Sequence, residues 1–114
     1  MAFSPDISVA ILLVNWNGLG FTSACLSSLR KVDYPDFKVF VIDNGSENQE
    51  GKQLKASFPE IELIETGTNL GFAGGNNVGI RKAIHEGFSH VLLLNNDTLV
   101  EPDFLGELVR AAQK

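Results

Sequence analysis

The residues best suited to chemistry are amides, acids and glycines that follow four apolar segments of the chain. They occupy residues 15–18 (Asn-Trp-Asn-Gly), 43–46 (Asp-Asn-Gly-Ser), 66–77 (TGTNLGFAGGNN) and 95–97 (Asn-Asn-Asp). Amide and carboxylate oxygens accept hydrogen bonds and bind hard cations, and glycines let the backbone approach a ligand closely. Open parallel sheets bind ligands beyond the carboxyl ends of their strands. Four polar segments of this kind therefore predict a ligand site at that edge.

The apolar segments predict the strands that position these residues. They lie at residues 7–14, 37–43, 61–65 and 90–95. The first and last are nearly continuous runs, typical of strands covered on both faces, whereas the third alternates and suits a half-exposed edge strand. Helical segments of about 12 residues between strands imply right-handed crossovers and a parallel sheet. The pattern predicts an α/β fold, a Rossmann-like half-sheet in the order β-α-β-α-β-α-β-α.

Four helices are predicted between and after the strands. The first, over residues 21–32, has an apolar stripe, and the second is predicted to begin at Ser46, which forms a capping box with Gln49. The third is predicted over residues 75–86, and the fourth follows Pro102. The residues expected to face inward are Phe21, Cys25, Leu26 and Leu29 in the first helix, Ile80, Ala83 and Ile84 in the third, and Phe104, Leu105, Leu108, Val109 and Ala112 in the fourth.

Size and charge limit the classes of function. The 114 residues make one domain or part of one. The net charge of −5 argues against a nucleic-acid partner, because phosphate backbones are bound by basic surfaces. The single cysteine, Cys25, is expected to pack in the core and suits a reducing compartment. The chain shows no signal peptide and no apolar run of the roughly 18 residues that span a membrane. We therefore expect a cytoplasmic protein.

Asp43 and Trp16 are candidates for contact with a nucleoside. A carboxylate at the end of the second strand accepts hydrogen bonds from a base N–H or a ribose hydroxyl. The alternative, in which residues 43–46 form only a turn, is less favoured for Asp43, whereas Ser46 is expected to act mainly as a helix cap. Trp16 either stacks on a base or seals the top of the core, and the sequence does not choose between them.

The segment at residues 69–79 (NLGFAGGNNVG) predicts a phosphate contact. Its glycines permit positive φ angles or close approach, and the helix that follows directs free N–H groups towards the cleft. A flexible connection with a tight helix–sheet contact at Gly79 is the less favoured alternative. The segment is no Walker P-loop, because it has no Gly-Lys-Ser/Thr.

Asp97 is a candidate metal ligand. Two like charges roughly 5 Å apart repel by about 3 kcal/mol at an effective dielectric constant near 20, so a diphosphate meets repulsion in an acidic chain. A divalent Mg²⁺ or Mn²⁺ shared by Asp97 and the phosphate removes that repulsion, since such ions bind one carboxylate together with phosphates and waters. The less favoured alternative is that Asp97 caps a turn with Thr98. His85 and His90 have no ligand spacing and are expected at the surface.

The sequence stretches VAILLVNWNG, VFVIDNGSEN, TNLGFAGGNNVGI and VLLLNNDTLVEPDFL together resemble the N-terminal part of family 2 glycosyltransferases, and most closely their rhamnosyltransferase-like branch. The resemblance runs from about residue 7 to the end of the chain. It implies a GT-A half-domain over residues 1–114, with a mostly parallel sheet in strand order 3-2-1-4. It also implies inverting transfer of a sugar from a UDP- or dTDP-sugar to a glycan or lipid-linked acceptor. The expected location is the cytoplasm or the inner face of the membrane.

The resemblance assigns roles to individual residues. The motif usually written Asp-X-Asp, which binds metal and diphosphate, falls on residues 95–97, so an asparagine replaces its first acid. Asp97 is the metal ligand, and the implied nucleotide-binding residues are Asn15, Trp16, Asp43, Asn44, Gly71, Phe72, Ala73, Gly74, Asn76, Asn95 and Asn96. The family's catalytic base lies downstream of this motif. Glu101 and Asp103 are expected to favour the start of the last helix instead, so we expect a truncated donor half that is inactive alone.

Two other classes of protein remain as alternatives. The stretch GLGFTS at residues 18–23 is one residue short of a dinucleotide fingerprint, and Asp43 would then be the ribose-binding acid of an NAD(P)-dependent oxidoreductase. Against this, Gly18 lies four residues beyond Val14, whereas the fingerprint turns directly from the strand. The second alternative is a non-catalytic nucleotide-binding or interaction module that self-associates through an open sheet edge.

Overall fold

Four parallel strands form one sheet with helices on both faces. The computed structural model describes residues 7–113. The strands are β1 (Val9–Asn15), β2 (Phe37–Asp43), β3 (Glu62–Glu65) and β4 (His90–Leu93), and the helices are α1 (Leu19–Leu29), α2 (Glu50–Ser57), α3 (Gly71–His85) and α4 (Phe104–Ala112). The sheet order is β3-β2-β1-β4 and every pairing is parallel. The predicted fold class, element order and strand order are confirmed.

The two faces of β1 explain its continuous apolar run. Ile11 and Leu13 contribute to one core cluster with residues of α1, α2 and α4. Ala10 and Leu12 contribute to a second cluster on the other face, which α3 covers. Because alternate side chains point to opposite faces, a strand covered on both faces must be apolar at every position. β1 and β2 therefore form the buried centre of the sheet.

The ends of β1 and β2 lie side by side. The register pairs Asn15 with Asp43, so the polar residues that follow both strands reach the same edge of the sheet. Within residues 7–113, β3 pairs with β2 alone, as predicted for an edge strand. The sheet thus brings the four polar segments to one edge, where the candidate site lies.

Several predicted boundaries and orientations are wrong. β1 begins at Val9 rather than residue 7, and β4 ends at Leu93 and is partly exposed rather than fully buried. Among the described residues β4 pairs only with β1, so it has an open side. Whether this edge self-associates stays a prediction.

The apolar stripes of the helices are narrower than predicted. Phe21, Ile84 and Leu108 are 66%, 66% and 47% exposed. In α1 the buried face consists of Thr22, Cys25, Leu26 and Leu29. A spacing of four residues drifts about 40° around a helix at each step, so Phe21 lies beyond the edge of that face. Ala112 is also exposed, whereas Leu105 and Val109 pack in the core.

Three helices begin elsewhere than predicted. α1 spans Leu19–Leu29 rather than residues 21–32. α2 begins at Glu50, and no side chain caps it, so the predicted capping box at Ser46 is wrong. Asn48 and Gln49 have φ angles of 58° and 54°, a left-handed step that separates Ser46 from the helix. α3 begins at Gly71 instead of residue 75, so the glycine-rich segment is mostly the first turns of a helix.

Within residues 7–113 no helix has the length and apolar character needed to cross a membrane.

Candidate functional site

A buried group of polar side chains joins the ends of β1 and β2. We call it the polar cluster, and it consists of Asn15, Thr22, Asp43, Ser46 and Glu50. The Nδ2 atom of Asn15 lies 3.0 Å from Asp43 Oδ1, 3.2 Å from Ser46 Oγ and 3.1 Å from Glu50 Oε1. The Oδ1 atom of Asn15 accepts a 2.6 Å hydrogen bond from Thr22. Asn15 is fully buried and Asp43 is 5% exposed, so the protein itself satisfies this amide.

Ser46 fastens the loop after β1 to the turn after β2. Its Oγ accepts a hydrogen bond of 2.9 Å from the Asn17 backbone N–H. The Asn17 side chain in turn accepts from the Glu47 backbone N–H at 2.9 Å. Ser46 is therefore a loop anchor, and this contact replaces the predicted helix cap.

Asn44 fastens the loop between β3 and α3. Asn44 is 1% exposed. Its side chain donates a hydrogen bond of 2.9 Å to the Gly71 carbonyl and accepts one of 3.0 Å from the Leu70 N–H. Its Oδ1 also accepts a hydrogen bond of 3.1 Å from the Thr66 hydroxyl, and its Nδ2 lies 3.3 Å from Asn69 Oδ1. Both ends of the amide are thus occupied by protein. The nucleotide contact predicted for Asn44 stays a prediction, while its observed contacts position the glycine-rich segment.

A cleft of about 270 Å³ opens above these contacts, at the carboxyl edge of the sheet. Trp16 and Phe72 line it and are 54% and 59% exposed. Trp16 therefore does not seal the core, and its stacking on a base stays a prediction. The complete lining is Val14, Trp16, Asn44, Asn69, Gly71, Phe72 and Asn96.

A larger cavity lies elsewhere in the molecule. It has about 540 Å³ and is lined by Phe37 and Lys38, at the start of β2, and by Arg30 and Glu60. Arg30 and Glu60 form an ion pair of 2.6 Å with each other. The cavity thus lies at the opposite end of β2 from the polar segments, so size alone does not identify the functional site.

The first turn of α3 forms one side of the cleft. Gly71 has a φ angle of +77°, a conformation that favours glycine. A Cβ at Gly75 would lie 3.2 Å from Asn44 Nδ2, so a small residue is needed where α3 packs against the anchor. Ala73 is exposed, Gly74 is half-buried and Asn76 is 5% exposed. Gly71 and Phe72 thus line the cleft, while Gly75 and Asn76 pack beneath the helix.

The turn at residues 95–98, which we call the 95–98 turn, forms the opposite side. The Thr98 N–H donates to the Asn95 carbonyl at 3.1 Å, so Asn95 closes this turn. The metal role of Asp97 stays a prediction. Asn95 and Asp97 are exposed. Asn96 is half-buried, and its Nδ2 donates a hydrogen bond of 3.0 Å to the Thr22 hydroxyl. Burial, and to a smaller extent the negative charge of Asp97, raises the pKa of Cys25 to about 11, as expected for a core thiol beneath this turn.

The donor set fits a metal only when a ligand supplies further oxygens. Within residues 7–113, no cluster of three or more His, Cys, Asp or Glu side chains could hold an ion. Asp97 offers an exposed carboxylate, and Mg²⁺ and Mn²⁺ are bound in proteins by one or two carboxylates together with phosphates and waters. Asp97 would therefore hold the ion jointly with a diphosphate.

Sequence reasoning missed Thr22 and Glu50 as members of the polar cluster. Thr22 lies on the buried face of a helix and Glu50 in the first turn of another, positions where a hydroxyl and an acid have ordinary structural roles. The only signal in the sequence is that Thr22 interrupts an otherwise apolar face. Gly18, read as part of a possible dinucleotide fingerprint, has a different role, since a Cβ there would lie 2.8 Å from Asn96 Nδ2.

Curated relatives are similar in sequence to this chain over much of its length. Uncharacterized protein Rv1525 of Mycobacterium tuberculosis is 32% identical over 112 residues, which cover 94% of this chain and 37% of the relative. The low-salt glycan biosynthesis hexosyltransferase Agl10 of Haloferax volcanii is 37% identical over 70 residues, covering 60% of this chain and 22% of Agl10. The chain thus spans less than two fifths of the length of either relative.

Solved structures share the fold. S. aureus TarS in complex with UDP-GlcNAc matches with a TM-score of 0.81 at 20% identity, over 94% of this chain and 31% of TarS. The mannosyltransferase PcManGT of Pyrobaculum calidifontis, in complex with GDP-Man and Mn²⁺, matches with a TM-score of 0.78 at 22% identity, over 95% of this chain and 34% of PcManGT. The family model described as Glycosyl transferase family 2 matches residues 10–114. The chain therefore belongs to glycosyl transferase family 2.

Proposed function

We propose that the cleft binds the nucleoside diphosphate of a sugar donor together with a divalent cation. The observation that carries this proposal is the meeting of two exposed aromatic side chains, the polar cluster and an exposed carboxylate at one edge of the sheet. The complexes of TarS with UDP-GlcNAc and of PcManGT with GDP-Man and Mn²⁺ support it, since both proteins share this fold.

The nucleoside half of the donor lies against β1 and β2 in this proposal. Trp16 and Phe72 supply flat apolar surfaces for a base, and such stacking tolerates different bases. Asp43 accepts from Asn15 through Oδ1. Its second carboxylate oxygen is the atom that would accept from a base N–H or a ribose hydroxyl.

The diphosphate half lies between the first turn of α3 and the 95–98 turn. The first N–H groups of a helix have no partners within the helix and favour anions. The net charge of −5 opposes a diphosphate, so a cation held by Asp97 is part of the proposal. When bound, that cation would stabilise the negative charge of the leaving nucleoside diphosphate.

The overall reaction proposed is transfer of the sugar, with inversion, to a hydroxyl of a glycan or lipid-linked acceptor. An inverting transfer needs a carboxylate that removes the acceptor proton. Glu101 and Asp103 lie just before α4, and we assign neither as this base. We therefore expect the 114-residue chain to bind the donor without transferring the sugar, and sugar transfer by this chain alone would contradict that expectation.

Calorimetric titration with UDP, dTDP and GDP, each with and without Mn²⁺, tests the binding proposal. We expect one of these nucleotides to bind, with an affinity that Mn²⁺ raises about tenfold or more and that Asp97→Ala returns to the metal-free value. Asp36→Ala is the matched control, because Asp36 is equally exposed but lies before β2, at the opposite edge of the sheet.

Three results would contradict the proposal. They are binding of none of the nucleotides, an affinity that Mn²⁺ does not change, and equal losses in Asp97→Ala and Asp36→Ala. NAD serves as the control ligand, and binding of NAD alone would favour the oxidoreductase alternative.

A further inference from the structure

The hydroxyl of Thr22 links the polar cluster to the 95–98 turn. Thr22 is fully buried in α1. Its Oγ1 lies 2.6 Å from Asn15 Oδ1 and 3.0 Å from Asn96 Nδ2. A hydroxyl has one proton to donate and lone pairs with which to accept. Since an amide oxygen only accepts and an amide nitrogen only donates, Thr22 donates to Asn15 and accepts from Asn96.

The acids of the polar cluster set the direction of this chain of hydrogen bonds. Ionised carboxylates only accept, so Asp43 and Glu50 fix the NH₂ group of Asn15 on their side. The oxygen of Asn15 must then face Thr22, and the proton of Thr22 is committed to it. With its proton committed, the oxygen of Thr22 can only accept a hydrogen bond from Asn96. The atom of Asn96 that faces it must therefore be the NH₂ nitrogen. The orientation of one buried amide thus determines the orientation of the other.

The backbone at Gly18 leaves room for this position of Asn96. Gly18 lies beside its amide, and a Cβ at Gly18 would be 2.8 Å from Asn96 Nδ2. A side chain at this position would displace the amide nitrogen from its place beside Thr22. Asn96 lines the cleft, and its Nδ2 atom donates to Thr22, so Oδ1, on the other branch of the planar amide, is directed away from Thr22.

We propose that Thr22 is a positioning residue that makes Asn96 present its carbonyl oxygen, rather than its NH₂ group, to the ligand. This proposal rests on the proposed function of the cleft. An oxygen next to Asp97 adds a second hard oxygen beside the cation, whereas an NH₂ group would repel it. In a motif with asparagine at its first two positions, the orientation of Asn96 decides whether this side chain helps or opposes cation binding.

The side-chain amide signals of Asn96 test the orientation without any ligand. They are assigned in an ¹⁵N–¹H spectrum by their loss in Asn96→Asp. We expect Thr22→Val, which keeps the shape but removes the hydroxyl, to shift them and to speed their exchange with water. Thr22→Ser should restore the wild-type signals. Ser27→Ala, an exposed hydroxyl removed from the same helix, is the matched control and should leave them unchanged.

Metal-dependent nucleotide binding tests the consequence of the orientation. We expect Thr22→Val to lower the affinity for the nucleoside diphosphate in Mn²⁺ about tenfold, because a buried hydrogen-bonding partner is lost. Thr22→Ser should remain within about twofold of wild type. In a double-mutant cycle with Asn96→Ala, the two losses should not add, because both act through one side chain.

The proposal is overturned if Asn96 gives unchanged signals in Thr22→Val, if Thr22→Ser behaves like Thr22→Val, or if the cycle is additive. Should Thr22→Val not fold, Gly18→Ala, whose Cβ would displace the Asn96 amide from its place beside Thr22, must also shift these signals and speed their exchange. If the wild-type chain binds no nucleoside diphosphate, the proposed function fails. The amide signals of Asn96 still decide the role of Thr22 in that case.

Discussion

The two sides of the cleft differ in how far the protein completes them. On the side of β1 and β2, Asn15 and Asn44 are at most 1% exposed, and each makes at least three hydrogen bonds within the protein. On the side of the 95–98 turn, Asn95 and Asp97 are exposed, and the half-buried Asn96 donates a hydrogen bond to Thr22. One side is completed by the protein itself, and in our proposal the ligand completes the other.

Burial explains the difference. A buried amide without a partner costs about 1–3 kcal/mol, so the amides beneath the cleft must be satisfied by protein. An exposed carboxylate such as Asp97 keeps its water and needs no protein partner. The contrast predicts that changes on the first side alter stability, whereas changes on the second side alter binding.

The largest effect is expected from Gly45→Ala, which forces apart the turn after β2 and the loop after β3. Gly45 has a φ angle of +81°, and its Cβ would lie 2.8 Å from the backbone carbon of Thr68. We expect the free energy of unfolding, measured with urea, to fall by about 3–4 kcal/mol from strain and overpacking. Gly67→Ala is the control, because its φ of +79° is similar but its Cβ meets open space. A loss near 1 kcal/mol is expected there, and equal losses would refute the contact.

The next effect is expected from Asn44→Ala, which removes the anchor of the glycine-rich segment. The N–H of Leu70 and the carbonyl of Gly71 would each lose a partner. We expect a loss of about 3 kcal/mol in the same urea measurement. Asn77→Ala, at an exposed position of α3, should change stability by less than about 0.5 kcal/mol. Similar values for both variants would show that Asn44 is no anchor.

Trp16→Ala is expected to alter binding rather than stability. Because Trp16 is 54% exposed, we expect the urea midpoint to be nearly unchanged. The affinity for the nucleotide should fall about tenfold through lost stacking, and Trp16→Phe should retain most of it. Since Trp16 is the only tryptophan, its fluorescence reports nucleotide binding directly in the wild type. A ligand that binds without any fluorescence change would place the base away from Trp16.

The last effect is a dependence of stability on pH, and it concerns Cys25 and the charge of Asp97. The pKa of Cys25 is raised from 9.0 to about 11 in the folded state. Between these values the unfolded thiol loses its proton and the folded one keeps it, so stability falls as the pH rises from about 9 to about 11. Urea titrations across this range should show that loss in the wild type and not in Cys25→Ala.

Asp97→Asn sharpens the same measurement. Removing the negative charge should lower the pKa of the folded thiol, so the loss of stability should end at a lower pH than in the wild type. The Asp36→Asn variant should behave as the wild type. An identical pH profile in Asp97→Asn would show that the 95–98 turn lies farther from Cys25 than the structure places it.

The sequence predicted most of the fold because its signals are local. β2 forms over residues 37–43, as its apolar run predicts, and β3 lies at an edge, as its alternation predicts. Helix starts were harder to predict, since the start of α2 depends on a left-handed step at Asn48 and Gln49 that no pattern of residue types required. The exposure of Phe21 likewise depends on which face of α1 meets the sheet.

The sequence by itself determined the order of elements, the parallel sheet and the gathering of polar residues at its carboxyl edge. These follow from hydrophobic periodicity and from the geometry of parallel strands. Only the tertiary structure decided which amides are anchors and which face the cleft. The bonds of Asn15 to Asp43 and of Asn96 to Thr22 join residues 28 and 74 positions apart, and the direction of a hydrogen bond is set by its partners in space.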